Sequence, residues 1–355
     1  MMIFAQKIGW MVALSLWTLI PATASLSISS STIEEIINLT QEVQNPPIPK
    51  IIHIPSPEIL KALYVTFYSF QSNSKLSKVI QVVKGSDINS LIIDIRPQKE
   101  GGLFKISDEK AKEMLDDLHN QNIYLIARIT AFKDDETGAW YDPSSKTRWE
   151  AIKKASLRAI ELGFDEINYD YMRFPGPSEP NNPTPLEQRR SIMMSFFEFL
   201  NKEVRQVSGQ PISIDVFGNI FIHPEIRIGQ YMEDAAKNFD YLMPMPYPSH
   251  WMPGSFGLKS PGANPYETVF QGLNTGWQKI KDDPTKIAAL RSWIQSFNLE
   301  SIYPLKARVY SAKDIQAQIK ACKDAGCVGW ALWNANSSYQ SDYFVNTTPE
   351  EKAIQ

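Results

Sequence analysis

Eight short apolar runs alternate along the chain with segments in which apolar residues recur at helical spacing. Each run has the length and continuity of a strand buried on both faces, which is typical of parallel sheets. The predicted strands are Leu63–Phe70, Ser90–Arg96, Ile123–Thr130, Glu166–Phe174, Pro211–Gly218, Tyr241–Tyr247, Leu290–Phe297 and Cys327–Asn334.

Capping residues mark the ends of three helices between these strands. The segment Ser107–Asn120 opens with Ser-Asp-Glu, which combines an N-cap with acidic residues in the first turn. The segments Thr147–Leu162 and Ser311–Ala325 are each followed by a glycine, Gly163 or Gly326, which is a common helix terminator. Each helix therefore has a defined beginning or end between two predicted strands.

Eight strand–helix units over about 280 residues match the size and element order of a (β/α)₈ barrel. The predicted fold class is α/β, with a single TIM barrel over residues 58–345 and a tail over residues 346–355. An open doubly wound sheet is the alternative, but it usually carries a glycine-rich phosphate turn after its first strand. The corresponding residues here are Ser69-Phe70-Gln71-Ser72.

Charged residues in the second to fifth strands share one side-chain parity, opposite to an all-apolar parity. The all-apolar parity should face the helices, and the mixed parity should face the barrel axis. These charges lie late in their strands, and the C-terminal ends of the strands form the active-site mouth of such barrels. We therefore expect one cluster at the mouth, formed by Asp94, Arg96, Arg128, Asp170 and Asp215.

Residues 1–24 have the pattern of a secretory signal peptide. Lys7 precedes an apolar run over residues 8–20, and Ala22-Thr23-Ala24 forms a small-x-small cleavage pattern. The apolar run is short for a membrane span, so we expect a secreted or periplasmic protein rather than one with an uncleaved anchor. Residues 25–57, which include five prolines between positions 46 and 57, are typical of an extended linker.

Composition narrows the range of partners. The chain of 355 residues is 43% hydrophobic with a formal net charge of −3, so it lacks the basic field that attracts nucleic acid or anionic membranes. The four histidines show no zinc-hydrolase spacing, and serine-elbow, dinucleotide and P-loop motifs are absent, so no metal and no cofactor is implied. Cys322 and Cys327 either pair in an oxidising compartment or remain buried thiols. The sequence does not indicate an oligomeric state.

Two carboxylates held across a cleft are what cleavage of a glycosidic bond requires. One protonates the leaving oxygen, and the other attacks the anomeric carbon or activates water. We expect Asp170 to be the nucleophile or stabilising base, and Asp215 to be the general acid, which needs a raised pKa. Asp94 is the third candidate and can exchange roles with Asp215. The alternative is an internal ion-pair network without catalysis, although such a network has no reason to cluster at one end of the barrel.

Three long motifs occur in order at Gly163–Pro175, Ser213–Gly218 and Tyr241–His250. Together they resemble a mostly bacterial family of glycoside hydrolases that was long described as a domain of unknown function. The resemblance spans roughly residues 63–334 and implies a barrel fold and a carbohydrate substrate. The second strand departs from the family, which usually reads Ile-Asp-x-Lys-Asp-Asp there. Residues 93–98 read Ile-Asp-Ile-Arg-Pro-Gln, so the leading acid is kept and the following two are lost.

Further side chains of the mouth are candidates for contact with a sugar. The arginines would bind hydroxyl groups or hold Asp170 ionised, although Arg173 is expected mainly to lock the loop after the fourth strand. Trp333 would be a stacking platform, Gln295 would bind a hydroxyl, and His250 is either a substrate contact or a structural residue. The candidate substrate-binding residues are Arg96, Arg128, Asn168, Arg173, Tyr247, His250, Gln295 and Trp333.

The predicted function is hydrolysis of a glycosidic bond in an extracellular or envelope polysaccharide or oligosaccharide. The main alternative is a non-catalytic carbohydrate-binding or cell-wall-binding barrel that keeps the cleft. A third hypothesis is a carboxylate-dependent hydrolase of another bond, which metal chelation would inactivate if it depends on a metal.

Overall fold

The computed structural model describes residues 51–98, 101–134, 136–177, 179, 181–299 and 308–344. The predicted signal peptide, residues 25–50 of the predicted linker and the predicted tail lie outside these residues. Among the helices of the described part, none combines the length and apolar character that a membrane span requires.

The core is a barrel of parallel strands. The sheet order is β7-β6-β5-β4-β3-β2-β1-β9-β8, and every pair is parallel. Only Arg291 separates β7 from β8. Because β7 pairs with β6 and β8 pairs with β9, the two segments occupy one strand position and close the barrel. This confirms the predicted (β/α)₈ architecture. The strands are β1 Leu60–Val65, β2 Ser90–Asp94, β3 Tyr124–Thr130, β4 Glu166–Asp170, β5 Ile212–Phe217, β6 Tyr241–Met245, β7 Ala289–Leu290, β8 Ser292–Gln295 and β9 Gly329–Trp333.

Helices follow the strands on the outside of the barrel. The predicted N-cap is confirmed, because Ser107 accepts a hydrogen bond from the Lys110 amide, and Gly163 ends its helix as predicted. Ser311, which was not predicted as a cap, forms a capping box with Asp314. A π-helical turn over Asn201–Arg205 joins α5 to α6. The helices are α1 Phe67–Phe70, α2 Asn73–Lys84, α3 Asp108–His119, α4 Lys146–Leu162, α5 Leu186–Leu200, α6 Gln206–Ser208, α7 Met232–Asn238, α8 Pro265–Ile280 and α9 Ala312–Asp324.

Two predicted strand boundaries are wrong. The first strand begins at Leu60 and ends at Val65, because Thr66 caps the short helix α1 by accepting a hydrogen bond from the Ser69 amide. The fourth strand ends at Asp170, because the next residue, Tyr171, has a φ of 52° and leaves the extended conformation. The first correction places Tyr64 next to the C-terminal end of its strand, and the second places Asp170 at the very end of its strand.

Side-chain parity divides the apolar residues into two clusters, as predicted. The residues of the all-apolar parity, including Leu91, Ile93 and Leu125, belong to the large cluster between strands and helices. Ile92 and Ile126 belong to the smaller cluster inside the barrel, together with aromatic side chains of other strands. The interior of the barrel is therefore a packed core whose upper layer carries the polar residues of the mouth.

The N-terminal end of the barrel is sealed by the segment that precedes β1. The amide of Ile54 donates to Asp165 Oδ1 at 2.9 Å, and His119 Nε2 lies 2.8 Å from Asp165 Oδ2. Burial alone would raise the pKa of Asp165, but hydrogen bonds from His119 and His53 hold it below its ordinary value. These contacts join part of the predicted linker to the barrel, and compact packing extends back to Ile51.

Cys322 and Cys327 form a disulfide across the turn that follows α9, with their Cα atoms 5.5 Å apart. Of the two readings that the sequence left open, the structure therefore has the paired one. The turn precedes β9, which ends at Trp333 in the mouth. A disulfide indicates folding in an oxidising compartment.

The Cys327→Ser variant is expected to be less stable than the wild type by about 2 kcal/mol, because the crosslink closes a short loop. For a domain of this size, that corresponds to a melting temperature lower by about 4 °C. This substitution leaves Cys322 as a buried thiol and introduces no hydroxyl group into the core. Thermal unfolding with and without reductant is the measurement. A reductant should lower the wild-type melting temperature to that of the variant, and an unchanged wild type would contradict the prediction.

Candidate active site

Arg128 lies at the centre of the mouth and contacts all three predicted carboxylates. Its Nη1 donates to Asp94 Oδ1 at 2.6 Å, its Nη2 donates to Asp170 Oδ2, and its Nε lies 3.4 Å from Asp215 Oδ2. Burial alone would lower the pKa of Arg128, but Asp94 and Asp170 raise it, so the side chain remains a cation. Four of the five residues predicted to meet at the mouth are therefore in contact through one guanidinium.

Asp94 is held by two side-chain donors. Besides the bond from Arg128, Asp94 accepts a hydrogen bond from the hydroxyl group of Tyr64 on β1. The Tyr64 ring packs against the Arg128 guanidinium, whose carbon lies 5.4 Å from the ring centroid. Burial and the neighbouring Asp94 raise the pKa of Tyr64, so this hydroxyl keeps its proton and remains a donor. The two donors suit an anchor that orients Arg128.

Asp215 is buried beneath the mouth. Its Oδ1 accepts hydrogen bonds from Trp293 Nε1 at 2.7 Å and from Asn168 Nδ2 at 2.9 Å. Burial and the neighbouring Asp170 raise the pKa of Asp215 to about 8, against the opposing effect of Arg128. The raised pKa favours the protonated form of Asp215, which is the state that a general acid requires.

Asp170 is the carboxylate that reaches the open side of the cluster. Its side chain is 14% exposed, compared with 6% for Asp94 and 1% for Asp215. The amide of Tyr171 donates to Asp170 Oδ1 at 2.5 Å. Tyr171 has a positive φ, a strained conformation for a residue with a side chain. This strained turn directs a backbone donor at the carboxylate and fixes its orientation.

Aromatic rings line one side of the mouth. Trp333, at the end of β9, stacks on Tyr64 with a centroid separation of 6.0 Å and meets Phe297 edge-on at 5.1 Å. Tyr247 contacts Trp333, Phe297 and His250, with centroids 5.3 to 6.2 Å apart. Burial lowers the pKa of His250, so its imidazole is neutral at neutral pH. A flat aromatic wall beside a carboxylate cluster suits the apolar face of a sugar ring.

The other predicted binding residues contact mainly neighbouring groups of the protein. Arg173 forms two hydrogen bonds to Glu179, at 2.6 and 3.0 Å, which lock the loop after β4 as predicted. The side chain of Gln295 is buried, accepting from the Ser249 amide and donating to the Phe297 carbonyl. Arg96 lies at the outer rim, 3.8 Å from Glu136. Asn168 reaches Asp215 and orients it.

Sequence reasoning missed two residues of the cluster, Tyr64 and Trp293. Tyr64 lay within a predicted strand whose start was placed three residues too late, so its inward parity was not recognised. Trp293 shares its parity with Gln295, and its indole nitrogen donates a hydrogen bond to Asp215 across β6, the strand that lies between β5 and the position of β7 and β8. The available signal was the alternation within β8, which also assigns Trp293 to the interior cluster.

The ionisation of Asp215 should make the free energy of unfolding depend on pH. Because its folded-state pKa of about 8 lies above that of an unfolded aspartate, this residue stabilises the fold at low pH. That contribution is lost as the pH rises from about 4 to about 8. The unfolding free energy of the wild type should therefore fall relative to that of Asp215→Asn across this range. Urea denaturation of both proteins at several pH values measures the difference, and a difference that does not vary with pH would contradict the expectation.

Three solved structures with the same fold are distant in sequence. One is the glycoside hydrolase domain of PgaB (BpsB) from Bordetella bronchiseptica, with 11% identity, a TM-score of 0.54 and coverage of 83% of this chain and 98% of that one. Another is the C-terminal domain of a "putative chitinase" from Desulfitobacterium hafniense, with 11% identity, a TM-score of 0.56 and coverage of 80% and 96%. A third is the spore cortex-lytic enzyme SleL from Bacillus cereus, with 13% identity, a TM-score of 0.54 and coverage of 90% and 84%. At these identities the likeness is one of fold.

Sequence comparison gives a more specific result. No curated protein matches the chain. The family described as "Putative glycosyl hydrolase domain" matches residues 62–139 and 135–339, which include every strand from β2 to β9 and all three acids of the mouth. The match confirms the resemblance seen in the three motifs. The chain belongs to this glycosyl hydrolase family.

Proposed function

We propose that this protein hydrolyses a glycosidic bond of a polysaccharide at the mouth of the barrel, with Asp170 and Asp215 as the working carboxylates. The observation that carries the proposal is the pairing of an accessible, Arg128-bound Asp170 with a buried, protonated Asp215. Family membership supports the reaction class. Two neighbouring carboxylates in different protonation states are the arrangement that glycosidases use.

Asp170 would act at the anomeric carbon. Arg128 and the Tyr171 amide each donate a hydrogen bond to Asp170, and together they orient its carboxylate toward the open side of the cluster. The transition state of glycoside cleavage resembles an oxocarbenium ion. Three carboxyl groups around one guanidinium leave an excess of negative charge that would stabilise this cation.

Asp215 would supply the proton of the pair. Burial and the neighbouring Asp170 raise its pKa, which favours the protonated form that can donate to a leaving oxygen. The hydrogen bonds from Trp293 and Asn168 hold one of its oxygens and leave the other toward Arg128. When Asp170 loses its charge in forming a bond, the main charge that raises the Asp215 pKa disappears, which favours release of the proton.

The substrate class would be an envelope or extracellular glycan. The leader-like residues 1–24 and the disulfide between Cys322 and Cys327 both suit a protein that works outside the cytoplasm. Trp333 and Tyr247 would hold the sugar beside the carboxylates.

The test is product release from a panel of envelope and extracellular polysaccharides. The wild type is compared with Asp170→Asn and Asp215→Asn after all three are shown to be equally folded. Release that is lost in both variants supports the proposal and identifies the substrate. Release retained in both variants would reject the two acids as catalytic residues.

A non-catalytic glycan-binding barrel is the second candidate. The observation that favours it is that Arg128 engages all three acids, as an internal ion-pair network would. In that case the wild type would bind one glycan saturably without releasing product, and Asp170→Asn would change only the affinity.

A further inference from the structure

A cavity of about 900 Å³ opens beside Trp333, on the side of the mouth formed by β6, β8 and β9. Tyr247 and Trp333 line it, and both also adjoin the carboxylate cluster through the aromatic wall. Ligand pockets usually measure roughly 300–1,000 Å³. The cavity is therefore within the usual size range of a ligand pocket, toward its upper end.

The polar groups of this cavity are mostly uncharged. Asn298, Asn336 and Gln340 line it with exposed amide side chains, and Ser338 contributes a hydroxyl group. An amide side chain both donates and accepts hydrogen bonds. The lining thus matches the hydroxyl and acetamido groups of sugars rather than a fixed charge.

The charges that are present would repel an anionic ligand. Asp342 lines the cavity, and lysine and arginine are absent from its described lining residues. His250, also in the lining, is neutral at neutral pH because burial lowers its pKa. Beyond Trp333, the carboxylate cluster holds three acids around a single guanidinium.

We propose that this cavity is a subsite for the uncharged sugar units next to the cleaved bond, and that it excludes glycans bearing carboxylate or sulfate groups. This inference rests on the proposed function and names the substrate as a neutral polymer. An anionic chain would bring its charges close to Asp342 and to the acids of the mouth, and the described residues that line the cavity include no lysine or arginine to balance them. A neutral chain would bind the amides and stack on the aromatic wall.

The test measures binding to matched pairs of polymers that differ in charge. Glycol chitin is compared with carboxymethyl chitin, and hydroxyethyl cellulose with carboxymethyl cellulose, by calorimetry on the full chain carrying Asp170→Asn. At about 20 mM salt, the neutral member of at least one pair should bind at least about tenfold more tightly, and the ratio should shrink at about 500 mM salt.

Two substitutions in the cavity should weaken this discrimination. Asp342→Asn removes the lining acid, and Asn336→Lys adds a cation, so each should raise the affinity for the anionic polymer, by about twofold to fivefold. Asp117→Asn, which removes an exposed acid on the outer helix α3, is the matched control and should leave the ratio unchanged.

The inference would be overturned if the anionic member bound equally well or better in each pair, if no neutral polymer bound, or if Asn336→Lys left the ratio unchanged. These results are distinct from failure of the proposed function. Binding of a neutral polymer without product release by the wild type would reject only the proposed hydrolysis. Release of product from an anionic polymer would reject only the proposed subsite.

Discussion

Asp170→Asn is expected to lower kcat at least about 1,000-fold, because it removes the carboxylate that would act at the anomeric carbon. Asparagine has nearly the shape of aspartate, and its amide oxygen can still accept a hydrogen bond from Arg128 or from the Tyr171 amide. The fold should therefore persist while the negative charge is lost. The measurement is release of reducing ends from the polysaccharide that the wild type cleaves.

The matched control for this loss is Asp117→Asn, which makes the same chemical change on the exposed face of α3. It should leave kcat unchanged. Asp170→Gly tests whether Asp170 is the nucleophile. Azide added to the assay should enter the space left by the missing carboxylate, attack the anomeric carbon and restore turnover with formation of a glycosyl azide. Residual activity of Asp170→Asn within about tenfold of the wild type would exclude a direct role in bond cleavage.

The sequence predicts the position of each mouth acid because that position depends on local rules. The two-residue period of a strand sets which side chains face the barrel axis, and parallel strands bring their C-terminal ends to one edge. Asp94, Asp170 and Asp215 therefore meet as expected. The side chains that these acids contact depend on distances across the barrel. The periodicity of the sequence carries no information about those distances.

Trp293 and Arg291 illustrate what the sequence did not predict. The hydrogen bond from Trp293 to Asp215 joins residues 78 positions apart. The run Leu290–Phe297 was predicted as one strand, but the structure divides it at Arg291, whose side chain reaches the buried Glu166. An apolar run indicates a strand, whereas the break lies where the chain changes its pairing partner from β6 to β9.

Arg291→Met is expected to lower the free energy of unfolding by about 3–5 kcal/mol, because it would leave Glu166 buried without its counter-charge. Both side chains are almost fully buried and lie 2.9 Å apart at the N-terminal end of the barrel. Arg291 also donates to Ser56 at 2.8 Å and packs over the Tyr241 ring. The loss should therefore also loosen the segment that seals this end.

A double-mutant cycle separates the ion pair from the loss of packing. The combined variant Glu166→Gln/Arg291→Met carries no unpaired charge and should recover part of the stability lost in Arg291→Met. Arg158→Met removes an exposed arginine paired with Asp108 and should cost at most about 1 kcal/mol. Urea denaturation of the wild type, Glu166→Gln, Arg291→Met, the combined variant and Arg158→Met measures these differences. Equal losses at the buried and the exposed arginine would contradict the assignment.

Catalysis should be insensitive to Arg291→Met wherever the variant is folded. Glu166 and Asp170 stand at opposite ends of β4, about 13 Å apart at the usual rise per residue. Stability at the N-terminal end and chemistry at the C-terminal end are commonly separated in this fold. A variant that melts earlier but retains the wild-type kcat at low temperature would show that separation. A fall in kcat comparable to that of Asp170→Asn would mean that the buried pair also holds the mouth in its working geometry.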